Sequence, residues 1–131
     1  MALTLDDANR IIEGAIAKAQ ELDIKISVAV CDAGGRLVAF NRMNNALWAG
    51  VFGSQGKAVA SAGFARPSGA LQKMADSPIV RGIVAAEGGH MIASQGGVAI
   101  LRDGVLEGAC GVGGGTGQQD EECAQAGADL L

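Results

Sequence analysis

Lys25-Ile26-Ser27-Val28-Ala29-Val30-Cys31 runs into Asp32-Ala33-Gly34-Gly35, and Arg36-Leu37-Val38-Ala39-Phe40-Asn41 runs out of it. The first segment is β-branched and too short for a helix, the middle is turn chemistry, and the last reads as the returning strand. Two strands joined by so tight a turn are antiparallel, which argues against a doubly wound parallel sheet. Upstream, Thr4 is placed to cap a helix with Asp6 and Asp7 in its first turn. Leu5, Ala8, Ile12, Ala15, Ala19 and Leu22 then form one apolar stripe. Downstream the pattern predicts a helix from about Ala49 to Ala62 and an irregular link. A short helix near Ser68–Met74 follows, then another from Pro78 to Ala86 with Ser77 as its cap. Gly88-Gly89 breaks the chain. His90–Ala93, Gly97–Leu101 and Val105–Val112 read as strands, with Gln95-Gly96-Gly97 and Arg102-Asp103-Gly104 as turns. Thr116 and Gln119 have the spacing of a capping box before an Ala-rich helix to Leu131. The expectation is one α+β domain over residues 1–131, an antiparallel sheet of about five strands flanked by helices.

The chain has 131 residues, 49% of them apolar and 18% charged, a globular composition for one core. With 21 Gly and only 3% aromatics, its small side chains fill little volume each. Burial between subunits would add to such a core, so a homo-oligomer is expected. A net charge of −4, with no Lys/Arg cluster and no ladder of aromatics, argues against a nucleic-acid partner. Apolar stretches are interrupted too soon for a membrane span of roughly 20 residues. Met1-Ala2-Leu3-Thr4-Leu5-Asp6-Asp7 lacks the basic and apolar regions of a signal peptide, so the expected location is cytoplasmic. Cys31, Cys110 and Cys123 are odd in number and lack C-x-x-C spacing, against a disulfide framework or zinc site. Alternation places Cys31 and Cys110 on strands as small buried hydrophobes.

Gly111-Val112-Gly113-Gly114-Gly115-Thr116-Gly117 suggests a nucleotide loop but departs from both known forms. A P-loop needs Lys-Ser/Thr after its last glycine, where this chain has Gln118-Gln119-Asp120. The dinucleotide fingerprint fails at its third glycine, and Asp120, Glu121 and Glu122 would repel a phosphate. Two readings stay open: a tight strand-to-helix turn, or backbone N–H groups holding a carboxylate or oxyanion. The second makes Gly111, Gly113, Gly114 and Thr116 ligand-binding candidates, with Glu121 beside them.

His90 is the single histidine. It reads as a general base or haem ligand, or as a strand-start residue bonded to backbone or solvent. One imidazole is too few ligands for a metal site of its own. Lys57, in an otherwise apolar helix, is a candidate proton carrier whose burial would lower its pKa. Arg42 could fork onto a carboxylate. Each alternatively pairs with Glu107 or Glu121 across a subunit interface. Glu107 is a third acid–base candidate, whereas Asp120 and Glu122 read as helix-dipole partners. Met43, Trp48, Phe52, Phe64, Met74 and Met91 read as core or interface rather than pocket wall.

Asp32-Ala33-Gly34-Gly35-Arg36-Leu37-Val38-Ala39-Phe40-Asn41-Arg42-Met43 resembles the VxDxxGxLVAFxRM hairpin of the GlcG/HbpS family. Lys57-Ala58, Gly88-Gly89, the run from Gly104 to Gly114 and Asp120-Glu121 are similar to that family's further signature, in its order and over nearly the whole chain. The family includes the glycolate-operon protein GlcG, a haem-binding secreted sensor and the C-terminal domain of PduO-type adenosyltransferases. The resemblance implies an α/β sandwich assembled as tetramers or octamers. Two positions depart from it: Gly113 replaces the family's usual Ser, and His90-Met91-Ile92 replaces the Pro after the glycine pair.

Two functional classes follow. One is a small-ligand-binding domain for haem, a corrinoid or a small aromatic or carboxylate ligand, accessory to a catabolic pathway. The other is a cofactor-independent lyase or isomerase acting on a small aromatic or hydroxy/keto acid. In it His90 or Lys57 would move the proton, and Arg42 and the glycine-loop N–H groups would hold the anion.

Overall fold

The computed structural model describes residues 2–131. Helix α1 (Leu5–Glu21) leads into strands β1 (Ser27–Asp32) and β2 (Leu37–Arg42), and helix α2 (Ala49–Phe64) follows. A 3₁₀ helix (Ser68–Met74) and α3 (Pro78–Ala86) precede strands β3 (Gly97–Arg102) and β4 (Val105–Gly113), and α4 (Gly117–Ala128) ends the order. The strands form one antiparallel sheet in the order β2-β1-β4-β3. The expected α+β class holds, with four strands among the described residues.

His90–Ala93 is the segment that departs from expectation. It pairs with no strand; Ile92 instead donates its N–H to the Gly56 carbonyl of α2 at 3.0 Å. A Cβ on Gly56 would lie 2.5 Å from the Ile92 Cγ1, so the glycine admits Ile92 against the helix backbone. The run is therefore packed against a helix, with Met91 buried and Ile92 and Ala93 half-buried, an outcome that periodicity alone does not separate from a strand.

Helices α1 and α4 cover one face of the sheet and α2 the other. Ile11 and Ile12 of α1 meet Ile26, Val28, Val30, Val98, Ile100 and Val112, all at most 2% exposed. Ala58 and Ala62 of α2 meet Cys31 and Ala109 of the sheet. Both end helices open with capping boxes. Thr4 Oγ1 accepts the Asp7 N–H at 3.0 Å, and Thr116 Oγ1 accepts that of Gln119 at 3.2 Å. Helices α1 and α4 pack together, and Arg10 Nη2 donates to the Leu130 carbonyl at 2.9 Å. No helix among the described residues is long and apolar enough to cross a membrane.

Candidate functional site

A cleft of about 360 Å³ opens on the α2 side of the sheet. Three elements form it: the β1–β2 turn, helix α2, and the link from α3 to β3. Leu37, Phe52, Ala58, Val59 and Ile92 supply apolar walls, and Cys31, Arg36, Gln55 and His90 supply the functional groups.

Local chemistry fixes the turn. Asp32 Oδ1 accepts the N–H of Gly34 at 2.9 Å and that of Arg36 at 3.0 Å, and Asp32 N–H donates to the Arg36 carbonyl at 2.8 Å. The backbone under Arg36 is thus clamped, as in the aspartate-headed turns of many hairpins. On the other side, Gly88 and Gly89 have φ of 70° and 80°, a left-handed pair that side chains rarely adopt. Their amides return to Ala85 and Val84 of α3. This reversal sets Glu87 and His90 on one loop facing the turn. Arg36 Nη1 lies 3.3 Å from Glu87 Oε2, and Nη2 3.3 Å from Oε1. His90 is exposed at the cleft mouth. Burial pushes the Cys31 thiol up to about 12, so the cleft wall carries a neutral thiol. Outside the cleft, Trp48 meets the Phe52 ring edge-on at 6.2 Å, extending the apolar wall over the surface.

Of the residues expected to move protons, His90 lines the cleft and Lys57 and Glu107 do not. Lys57 Nζ donates to Asp120 Oδ2 at 3.1 Å and to the Val112 carbonyl at 3.0 Å, buried between α2 and α4. Its partner is therefore Asp120 of the same chain. Asp120 also accepts the Gly115 N–H at 2.8 Å, a role beyond the helix dipole. Burial pushes its carboxyl above the usual range, against the pull of Lys57. Glu107 lies beside Arg102, with Nε 2.9 Å from Oε2, and Arg102 continues to Asp7 at 3.4 Å.

The ligand-binding candidates are dispersed as well. Arg42 is exposed at the end of β2 opposite Leu37, some five residues or about 17 Å along the strand from the cleft. Gly111 and Gly113 face α2 across the sheet. A Cβ on Gly111 would collide with the Ser54 carbonyl, and one on Gly113 would lie 3.1 Å from the Gly50 Cα. Gly114 abuts the Lys25 carbonyl, and Thr116 is engaged as the α4 cap. Glu121 is half-buried in the first turns of α4. Met91 is core, and Phe64 packs on the same small cluster. Phe52 alone of the six large side chains singled out above lines the cleft. Sequence reading missed Arg36 and Gln55; the turn signal marked where Arg36 sits but not what it faces. Among the described residues no group of three or more His, Cys, Asp or Glu could hold a metal ion.

Known proteins resemble this chain over nearly all its length. Residues 3–129 match the family described as haem degrading protein HbpS-like. The corrinoid adenosyltransferase PduO of Salmonella typhimurium is 28% identical over 126 residues, 95% of this chain. This chain spans 38% of that relative's length. A crystal structure of a PduOC–haem complex superposes at a TM-score of 0.88 with 27% identity, covering 100% of this chain and 96% of that one. A double mutant of HbpS from Streptomyces reticuli superposes at 0.87 with 25% identity, covering 100% and 88%.

Proposed function

We propose that this chain, which belongs to the HbpS-like family, binds haem in the cleft between the β1–β2 turn, α2 and the α3–β3 link. The observation that carries the proposal is His90 at the mouth of an apolar cleft. An imidazole is a standard axial ligand for haem iron, and an apolar wall suits the tetrapyrrole face. The haem complex of a structural neighbour supports the same ligand class. Haem would supply the iron chemistry. This chain would supply the His90 ligand, the apolar seat formed by Phe52, Val59 and Ile92, and a thiol held in its unreactive form.

A cleft of about 360 Å³ lies at the small end of the range for ligand sites, so the macrocycle would also cover the neighbouring surface. Leu47, Trp48 and Phe52 are 72%, 68% and 64% exposed there. A second copy of the chain seated on this ridge would close the open side, and we include a homo-oligomer, a tetramer or octamer, in the proposal. The lyase or isomerase reading lacks an assembled acid–base pair, because Lys57 and Glu107 stand in ion pairs away from His90.

Haemin titration of wild type beside His90→Ala, read in the Soret region, tests the reading. A saturable shift near one haem per subunit, lost or blue-shifted in His90→Ala, is expected. No saturable shift in wild type would remove haem, and an identical shift in the variant would remove His90 as the ligand.

A further inference from the structure

We infer that Arg36 and Glu87 form an exchangeable ion pair that selects a carboxylate-bearing ligand: Arg36 releases Glu87 and takes the ligand's carboxylate in its place. The inference rests on the haem reading for the identity of the ligand and adds what the cleft demands of that ligand's rim.

Arg36 is the only Lys or Arg among the described residues that line the cleft, whose walls are otherwise mainly apolar. Its backbone is fixed by Asp32, while its side chain is 67% exposed and free to turn. A guanidinium on a rigid base beside an apolar slot is suited to fork onto a carboxylate. Its one acidic partner among the described residues is Glu87, and all three of their contacts are 3.3–3.4 Å. Firm charge-assisted bonds are about 2.7–2.9 Å, so this pair is loose and solvent-screened.

Glu87 is the C-cap of α3, where the helix carbonyls make the field negative. The Glu87 side chain therefore gains nothing from its own helix and is held toward the turn by Arg36. The pair thus keeps the guanidinium beside the cleft when no ligand is present, and it yields readily to a better-placed anion. A ligand with an esterified or amide rim offers Arg36 nothing in exchange. The geometry therefore favours a flat apolar molecule with free carboxylates over one whose periphery is neutral.

The test compares haemin with its dimethyl ester on wild type, Arg36→Ala, Glu87→Gln and the double variant. Soret absorbance measures affinity in each case. Arg36→Ala is expected to weaken haemin about tenfold and leave the ester unchanged. Glu87→Gln is expected to tighten haemin several-fold, a gain no folding defect can mimic, and the gain should vanish in the double variant. Equal losses for haemin and ester, or a Glu87→Gln gain that survives without Arg36, would overturn the exchange. Wild type binding both porphyrins equally, with the His90-dependent spectrum intact, would overturn the exchange and spare the haem reading. Wild type binding neither would overturn both.

Discussion

The two faces of the sheet are held by opposite means. Under α1 and α4, branched aliphatics interlock: Ile11, Ile12, Val28, Val30 and Val112 are all essentially inaccessible. Under α2 the contact is nearly free of side chains. Cys31, Ala109, Gly111 and Gly113 pave the sheet, and Gly50, Ser54 and Ala58 meet them from the helix. The first face gains by removing apolar area from water. The second gains by bringing backbone against backbone, so dispersion and shape replace bulk. The difference has a functional result. On the second face the thin seam lets α2 lie close to the sheet, and the cleft opens at its edge. The buried Lys57–Asp120 pair crosses from α2 to α4 beside the end of β4, joining the layers.

Breaking that tie should cost most. Lys57→Met leaves Asp120 buried and unpaired, and about 4 kcal/mol of stability should be lost in urea unfolding. The double variant Lys57→Met with Asp120→Leu should recover most of it; no recovery would show that packing, not charge, dominates the site. Next is the seam. Gly111→Ala places a methyl against the Ser54 carbonyl and 2.6 Å from the Ala58 nitrogen, and about 3 kcal/mol should be lost. If it proves neutral, the seam is softer than the geometry states. On the opposite face Ile12→Val removes one methylene from a yielding aliphatic layer and should cost about 1 kcal/mol. Gly63→Ala, on α2 where a Cβ meets nothing within 4 Å, should raise stability by about 0.5 kcal/mol. The cysteines give a chemical readout of both faces. A thiol with a pKa of about 12 at Cys31 is protonated below that pH, so at pH 8 about one in 10⁴ is thiolate. Cys110 on the other face is pushed up further by burial. Neither should react with a disulfide reagent in the native protein at pH 8, and both should react on unfolding.

Local interactions explain what the sequence disclosed. Thr4 with Asp7, Thr116 with Gln119, and Ser77 ahead of Pro78 cap helices through contacts within three residues, and each is found as spaced. The β1–β2 hairpin is set by Asp32 reaching two and four residues ahead. Reading failed where partners lie far apart. Arg36 meets Glu87 across 51 positions, and Lys57 meets Asp120 across 63. Nothing near Lys57 distinguishes Asp120 from Glu107 or Glu121. The glycines at 111 and 113 carry the composition of a ligand loop because close helix–sheet packing and close ligand approach make the same demand on a residue: no Cβ. His90–Ala93 misled for a related reason, since a short apolar run packed against a helix has the same composition as one that joins a sheet.

The hydrogen bond from Arg10 to the Leu130 carbonyl ties the segment after α4 to α1, in the layer behind the sheet. The cleft opens in front of it. A label or tether attached at an exposed position of α1 such as Glu13 would therefore leave from the back of the molecule. The mouth of the cleft could be pointed outward on a surface or electrode without being obstructed by that attachment.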